Sequence, residues 1–275
     1  MKIRTVALKH AGRRCGSGAL VADIYEPPGG RPPHGYVIWL HSGDLLPGRE
    51  DDPPPSKTAA HFTACGYGFV SLHYQAAHGP GGLSDKTERL LPYLVHSAMI
   101  NGCDLQRGLV GWPALAAAEE CLTFLHWAWK NLGSRPRFIL GGSSLGAITA
   151  MNVTLLGRLI TGNRPPISAV IALSGSFWYY DFIDHELLHQ DGTRFLALHN
   201  PRDPLIPVTG IRAFQAHGAA EMKLLESADH RRGSWMLHPQ ESLAQGIGRV
   251  VAWFESEPGV TGQGRRGSAP GFRFS

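Results

Sequence analysis

The segment Tyr36-Val37-Ile38-Trp39-Leu40 is apolar at every position and follows a loop rich in proline and glycine at 27–33. It reads as a strand buried on both faces, and such strands belong to parallel sheets covered by helices. Similar runs recur at Phe69–His73, Phe138–Leu140, Ile167–Leu173 and Phe195–Leu198, with a weaker one at Met222–Leu225. Residues 19–26 instead alternate like a half-buried strand. Helical patterns fill the intervals. The clearest spans Pro113–Leu132, where Leu115, Ala118, Leu122, Leu125, Trp129 and Leu132 share one face, with Pro113 suited to the start and Gly133 to the stop. Further helices are expected at Ser56–Cys65, Asp85–Asn101, Ser144–Ile160, Val208–His217 and Gln240–Phe254. Strands alternating with helices predict an α/β fold, a doubly wound and mostly parallel sheet with helices on both faces.

A single domain over 1–256 accommodates this order. Its apolar share of 43% is ample for a buried core and excludes a disordered chain. The 34 glycines and 20 prolines make about a fifth of the residues, too few for a collagen-like or linker protein. Residues 76–112 are long for a strand-to-helix link and predict an extra helical insertion near a site. Residues 257–275, rich in Gly, Ser and Arg, read as a disordered tail.

Several function classes drop out. Cys15, Cys65, Cys103 and Cys121 form no C-x-x-C pair, which argues against a zinc or dithiol motif and for reduced thiols in a cytoplasmic protein. Met1-Lys2-Ile3-Arg4-Thr5 is not followed by the apolar run of a signal peptide, and nothing approaches about 18 uninterrupted apolar residues, so no membrane partner is expected. A net charge of +4 is too small and too dispersed to indicate nucleic acid.

The chemistry gathers around residues 138–150, Phe-Ile-Leu-Gly-Gly-Ser-Ser-Leu-Gly-Ala-Ile-Thr-Ala. An apolar strand runs into Gly142-Ser143-Ser144-Leu145-Gly146, and a small-residue helix follows, which is G-x-S-x-G in the strand–turn–helix context it requires. Counting from Gly142 centres Ser144 and ends on Gly146; counting from Gly141 centres Ser143 but puts Leu145 where glycine is needed. Ser144 is therefore the expected nucleophile. A serine hydroxyl needs a base to take its proton and an acid to orient that base, here in the chain order serine, acid, histidine.

The strand Phe195–Leu198 continues into His199-Asn200-Pro201-Arg202-Asp203-Pro204-Leu205-Ile206-Pro207. With this segment the chain resembles the α/β-hydrolase superfamily, whose members often carry H-G-x-x-D-x-x-V-P with the catalytic acid at the D. The resemblance implies Asp203 as acid; Asn200 and Ile206 replace the usual glycine and valine. It implies His230, in Glu226-Ser227-Ala228-Asp229-His230 after the last strand, as base. Asp229, Asp181 and Asp184 are the rival acids. The oxyanion hole needs two N–H donors. One is expected from Leu145, directly after the nucleophile. The resemblance implies the other at Gly43 in His41-Ser42-Gly43-Asp44, where Ser42 replaces a common glycine.

Only about 20 residues separate the strand after the nucleophile helix from the acid strand, so the outline is similar to minimally capped carboxylesterases, thioesterases and dienelactone-hydrolase-like enzymes. Asp44, Trp178 and Tyr179 are candidate pocket residues, the last two in the aromatic run Phe177–Phe182, which suits either a pocket wall or packing over the sheet. The function implied is hydrolysis of a small-molecule carboxylic ester or thioester through an acyl-enzyme, with no metal and no organic cofactor. Acyl transfer, lactone or amide cleavage with the same triad, and ligand binding with little turnover, are the alternatives. Nothing in the sequence speaks to oligomeric state.

Overall fold

The wholly apolar segments pair with one another in the computed structural model, which describes residues 1–8, 19–41, 55–74, 82–103, 111–217, 221–227 and 235–255. The strands are β1 (Lys2–Leu8), β2 (Leu20–Glu26), β3 (Tyr36–Leu40), β4 (Gly68–His73), β5 (Phe138–Ser143), β6 (Ile167–Leu173), β7 (Arg194–His199) and β8 (Glu221–Glu226). They form one eight-stranded sheet in the order β1-β2-β4-β3-β5-β6-β7-β8. β1 and β2 pair antiparallel, as do β2 and β4; every other neighbouring pair is parallel. The helices are α1 (Pro55–Ala64), α2 (Asp85–Ile100), α3 (Trp112–Asn131), α4 (Leu145–Thr161), α5 (His185–Asp191), α6 (Val208–Ala216) and α7 (Leu243–Glu255).

Strand alternation splits the core into two layers. Ile38, Leu40, Val70, Leu140 and Val170 face one side, where they pack with Leu115, Leu122, Phe124, Ile148, Met151 and Phe214 from α3, α4 and α6. Val37, Trp39, Phe69, Ile139 and Ile171 face the other, against Phe62 of α1 and Ile247, Val250 and Phe254 of α7. This double winding explains why β3 is apolar throughout: both of its faces are covered. α4 runs through the interior, buried without a break from Leu145 to Gly157, so it carries no polar face of the kind a surface helix shows.

Within the segment from 76 to 112 the described residues form α2. Ser97 of α2 donates its hydroxyl to Asp181 at 2.7 Å, and Asn101 donates its side-chain amide to the Trp178 carbonyl at 3.0 Å. These bonds dock α2 on the stretch that follows β6. Two elements were not anticipated. β1 is an edge strand exposed along most of its length, so it lacks an apolar pattern. α5 has seven residues, held by Asp184 at its N-cap and by Gly192, at φ 60°, after its end. Among the described residues no helix is long and apolar enough to cross a membrane. The proposed tail, 257–275, lies outside the described residues, as does Cys15.

Candidate active site

The parallel strands end at one edge of the sheet, and their ladder continues past the last strand residues. Ser144 donates its N–H to Leu173 at 2.8 Å, Ser174 donates to Leu198 at 2.9 Å, and Ser227 donates to His199 at 3.0 Å. The turns after β5, β6, β7 and β8 therefore stand in a row, with β5 and β7 two strand spacings apart, roughly 10 Å. At this carboxyl edge a doubly wound sheet presents its ligand site.

Ser144 occupies the turn between β5 and α4 at φ 51° and ψ −116°, a left-handed conformation that a side chain rarely adopts. Its hydroxyl makes no capping bond to α4, and the residue is half-buried. Ser143 lies in β5 opposite Leu173 and is 1% exposed. Of the two neighbouring serines, only Ser144 stands in the strained turn with a face to solvent.

Two glycines make this turn possible. A Cβ on Gly142 would stand 2.3 Å from the Gly146 carbonyl carbon, and one on Gly146 would stand 2.0 Å from the Leu40 oxygen and 2.7 Å from that of His41. The first turn of α4 is thus pressed against the end of β3, which brings the helix N-terminus and Leu145 beside the start of the loop that follows His41. A helix N-terminus presents unbonded N–H groups and the positive end of its dipole. Tyr74 steadies the same corner, donating its hydroxyl to the His41 carbonyl at 2.7 Å and stacking on the His41 ring at 4.6 Å. Because backbone atoms flank Gly146, a methyl there is expected to force the helix off the sheet. Gly146→Ala should lower stability by about 1–3 kcal/mol in a denaturant melt. Gly248→Ala in α7, where nothing lies within 4 Å, is the control and should be neutral or slightly stabilising.

Asp203 follows β7 in a tightly bonded loop, with its side chain 2% exposed. Its N–H donates to Asn200 at 3.0 Å, and its Oδ1 accepts from the backbone N–H of Leu205 at 2.9 Å and of Ile206 at 3.0 Å. These bonds occupy one carboxylate oxygen. Oδ2 lies 4.0 Å from Nε2 of His199, whose ring is fully buried. That ring bonds to the Ile206 carbonyl at 2.8 Å, and burial pushes its pKa below the ordinary histidine range against the pull of that carbonyl and of Asp203. A neutral His199 makes this contact dipolar rather than an ion pair.

The two rival acids among the described residues have other work. Asp184 caps α5, accepting from the N–H of Leu187 at 2.9 Å, and pairs with Arg158 at 3.4 Å. Asp181 accepts from Ser97. Trp178 and Tyr179 are 5% and 0% exposed and belong to the core layer shared with α3 and α4. Burial pushes the Tyr179 hydroxyl well above the usual phenol range. Of the two readings that the sequence left for the aromatic run, packing matches these exposures. Gly43, Asp44, Asp229 and His230 lie outside the described residues. The described residues hold no group of three or more His, Cys, Asp or Glu able to bind a metal. Sequence reasoning gave His199 no role beyond its place in the H-x-x-x-D pattern, and it missed Tyr74, which carries no motif.

No protein-family model matches the sequence, and no curated protein matches it. Solved structures do match in backbone. Esterase 2 of Thermogutta terrifontis, phosphorylated by paraoxon, superposes with a TM-score of 0.60 at 14% identity, over 95% of this chain and 96% of that one. A putative dienelactone hydrolase from Klebsiella pneumoniae gives 0.55 at 15% identity, over 94% and 100%. The esterase domain of a Rhodothermus marinus protein gives 0.54 at 13% identity, over 93% and 99%. At such identities the likeness is one of chain path.

Proposed function

From the α/β-hydrolase fold that this chain adopts, we propose that it is a serine hydrolase cleaving a small carboxylic ester or thioester through an acyl-enzyme. The observation that carries the reading is Ser144 at φ 51°, half-exposed between a buried strand and a buried helix, with glycines at the two positions where a Cβ would strike backbone. Such strain persists only where the surrounding structure imposes it, and it lifts a hydroxyl clear of its own helix.

In this mechanism His230 takes the proton of Ser144 as the serine oxygen attacks the carbonyl carbon. Asp203, with Oδ1 held by two backbone N–H groups, offers Oδ2 to the base and fixes its tautomer. The N–H groups of Leu145 and Gly43 receive the developing oxyanion. The protonated base then returns its proton to the leaving group, and water deacylates Ser144 through the same base. Asp44 is the candidate polar contact to substrate; Trp178 and Tyr179 back the site from the core. The esterases among the structures of like backbone agree with this reaction class.

Labelling by a fluorophosphonate together with turnover of short p-nitrophenyl esters tests the proposal. Labelling without turnover would favour a ligand-binding protein, and a preference for an acceptor other than water would favour acyl transfer. Because His230 must be neutral to act as base, kcat/KM should rise with pH through an acid limb near the ordinary histidine value, about 6.5. A profile flat from acid to neutral pH would count against a histidine base.

A further inference from the structure

The loop that carries Asp203 is closed by a side chain that the proposed reaction does not use. His199 ends β7 with its ring fully buried, and a buried imidazole persists where it is hydrogen-bonded. Its Nε2 meets the Ile206 carbonyl at 2.8 Å. A carbonyl only accepts, so Nε2 carries the proton. Ile206 is thereby tied twice: its C=O receives the His199 ring, and its N–H donates to Oδ1 of Asp203 at 3.0 Å. The same Nε2 stands 4.0 Å from Oδ2, on which no backbone N–H is seen among the described residues. Among the described residues the charged groups facing the ring are Asp203 and, from α6, Arg212.

We propose that His199 is a positioning residue for Asp203: it braces the 200–206 loop through Ile206, so that the carboxylate stays pinned by Oδ1 and presents Oδ2 to the base. This rests on Asp203 being the acid of the proposed triad. The neutral state of the ring matters to the arrangement. A protonated His199 would carry a positive charge beside the carboxylate, 4.0 Å from Oδ2, and compete with the base for it; burial disfavours that imidazolium. His199 acts only through Asp203 and touches no reacting atom.

The test uses the full chain with His199→Phe, His199→Gln and both combined with Asp203→Asn, assayed on one p-nitrophenyl ester and by the rate of fluorophosphonate labelling. His199→Phe keeps a ring but loses the donor. It should lower kcat by about 10–100-fold with KM little changed, the range seen when an orienting partner is lost. The acid limb should move to lower pH, because a base less firmly held by a carboxylate binds its proton more weakly. His199→Gln places an amide N–H within reach of the Ile206 carbonyl and should restore most of kcat. In the Asp203→Asn background, His199→Phe should slow labelling little further, since both changes remove the same orientation. If His199→Phe fails to fold, His199→Asn, whose amide falls short of the carbonyl, takes its place in every comparison.

An unchanged kcat overturns the proposal. So does a loss of activity that only tracks loss of folded protein while the acid limb stays put, or a full further loss in the Asp203→Asn background. A wild-type chain that neither labels nor turns over esters sinks the hydrolase reading itself and this proposal with it, a result separate from any seen among the His199 variants.

Discussion

Ser144→Ala is expected to retain the native circular dichroism and melting temperature while losing ester turnover by several orders of magnitude, up to about 10⁶. The residue contributes nothing to the core: its side chain makes no cap to α4, and alanine removes only one oxygen from a half-exposed turn. What disappears is the atom that attacks. Residual catalysis would come from substrate binding and oxyanion donors alone. Ser143→Ala is the matched control. Ser143 is 1% exposed in β5 and pairs in register with Leu173, so its loss should trim stability slightly and leave most turnover. If Ser143→Ala is the dead variant, the turn has been assigned to the wrong serine.

Asp203→Asn should cost about 10⁴ in turnover with the loop intact. An asparagine Oδ1 can still accept the N–H groups of Leu205 and Ile206, so the backbone has no reason to move. The change falls on the other atom. An amide –NH₂ in place of Oδ2 donates where a carboxylate accepts, and it favours the base tautomer that cannot take the serine proton. Asp184→Asn should be nearly silent in turnover, because Asp184 caps α5 and asparagine caps a helix about as well. Asp229→Asn should also lose far less than Asp203→Asn. Turnover of the three purified variants on one ester, with circular dichroism as the check on folding, decides the assignment; an Asp184→Asn or Asp229→Asn enzyme more crippled than Asp203→Asn would move the acid elsewhere.

Most of the architecture was legible because burial on both faces leaves a mark in a few residues. Tyr36–Leu40 and Ile167–Leu173 could be read as central strands without knowing their neighbours, and the register of Gly142 and Gly146 singled out Ser144. β1 was not legible. Lys2, Ile3, Arg4 and Thr5 are all exposed on an edge, where a strand needs a partner on one side only and little apolar surface. α5 escaped because seven residues cannot establish a helical period, although Asp184 and Gly192 flank it with capping residues.

By itself the sequence determined the central parallel strands, most of the helices between them and the turn that carries Ser144, since each depends on residues adjacent along the chain. Only the tertiary structure shows which contacts the other described residues make near that turn. Asp203 and Asp184 are both aspartates in loops at strand or helix ends, and in the sequence only the family pattern around residues 199–207 separates them. One is pinned by backbone N–H groups in the row of strand ends that includes Ser144, and the other is spent capping α5. His199, one of 14 histidines, acquired its place in the same way, from an Ile206 carbonyl seven residues on that loop closure brings to its ring. Packing and hydrogen bonding between segments are long-range quantities, and they exist only once the sheet has brought its ends together.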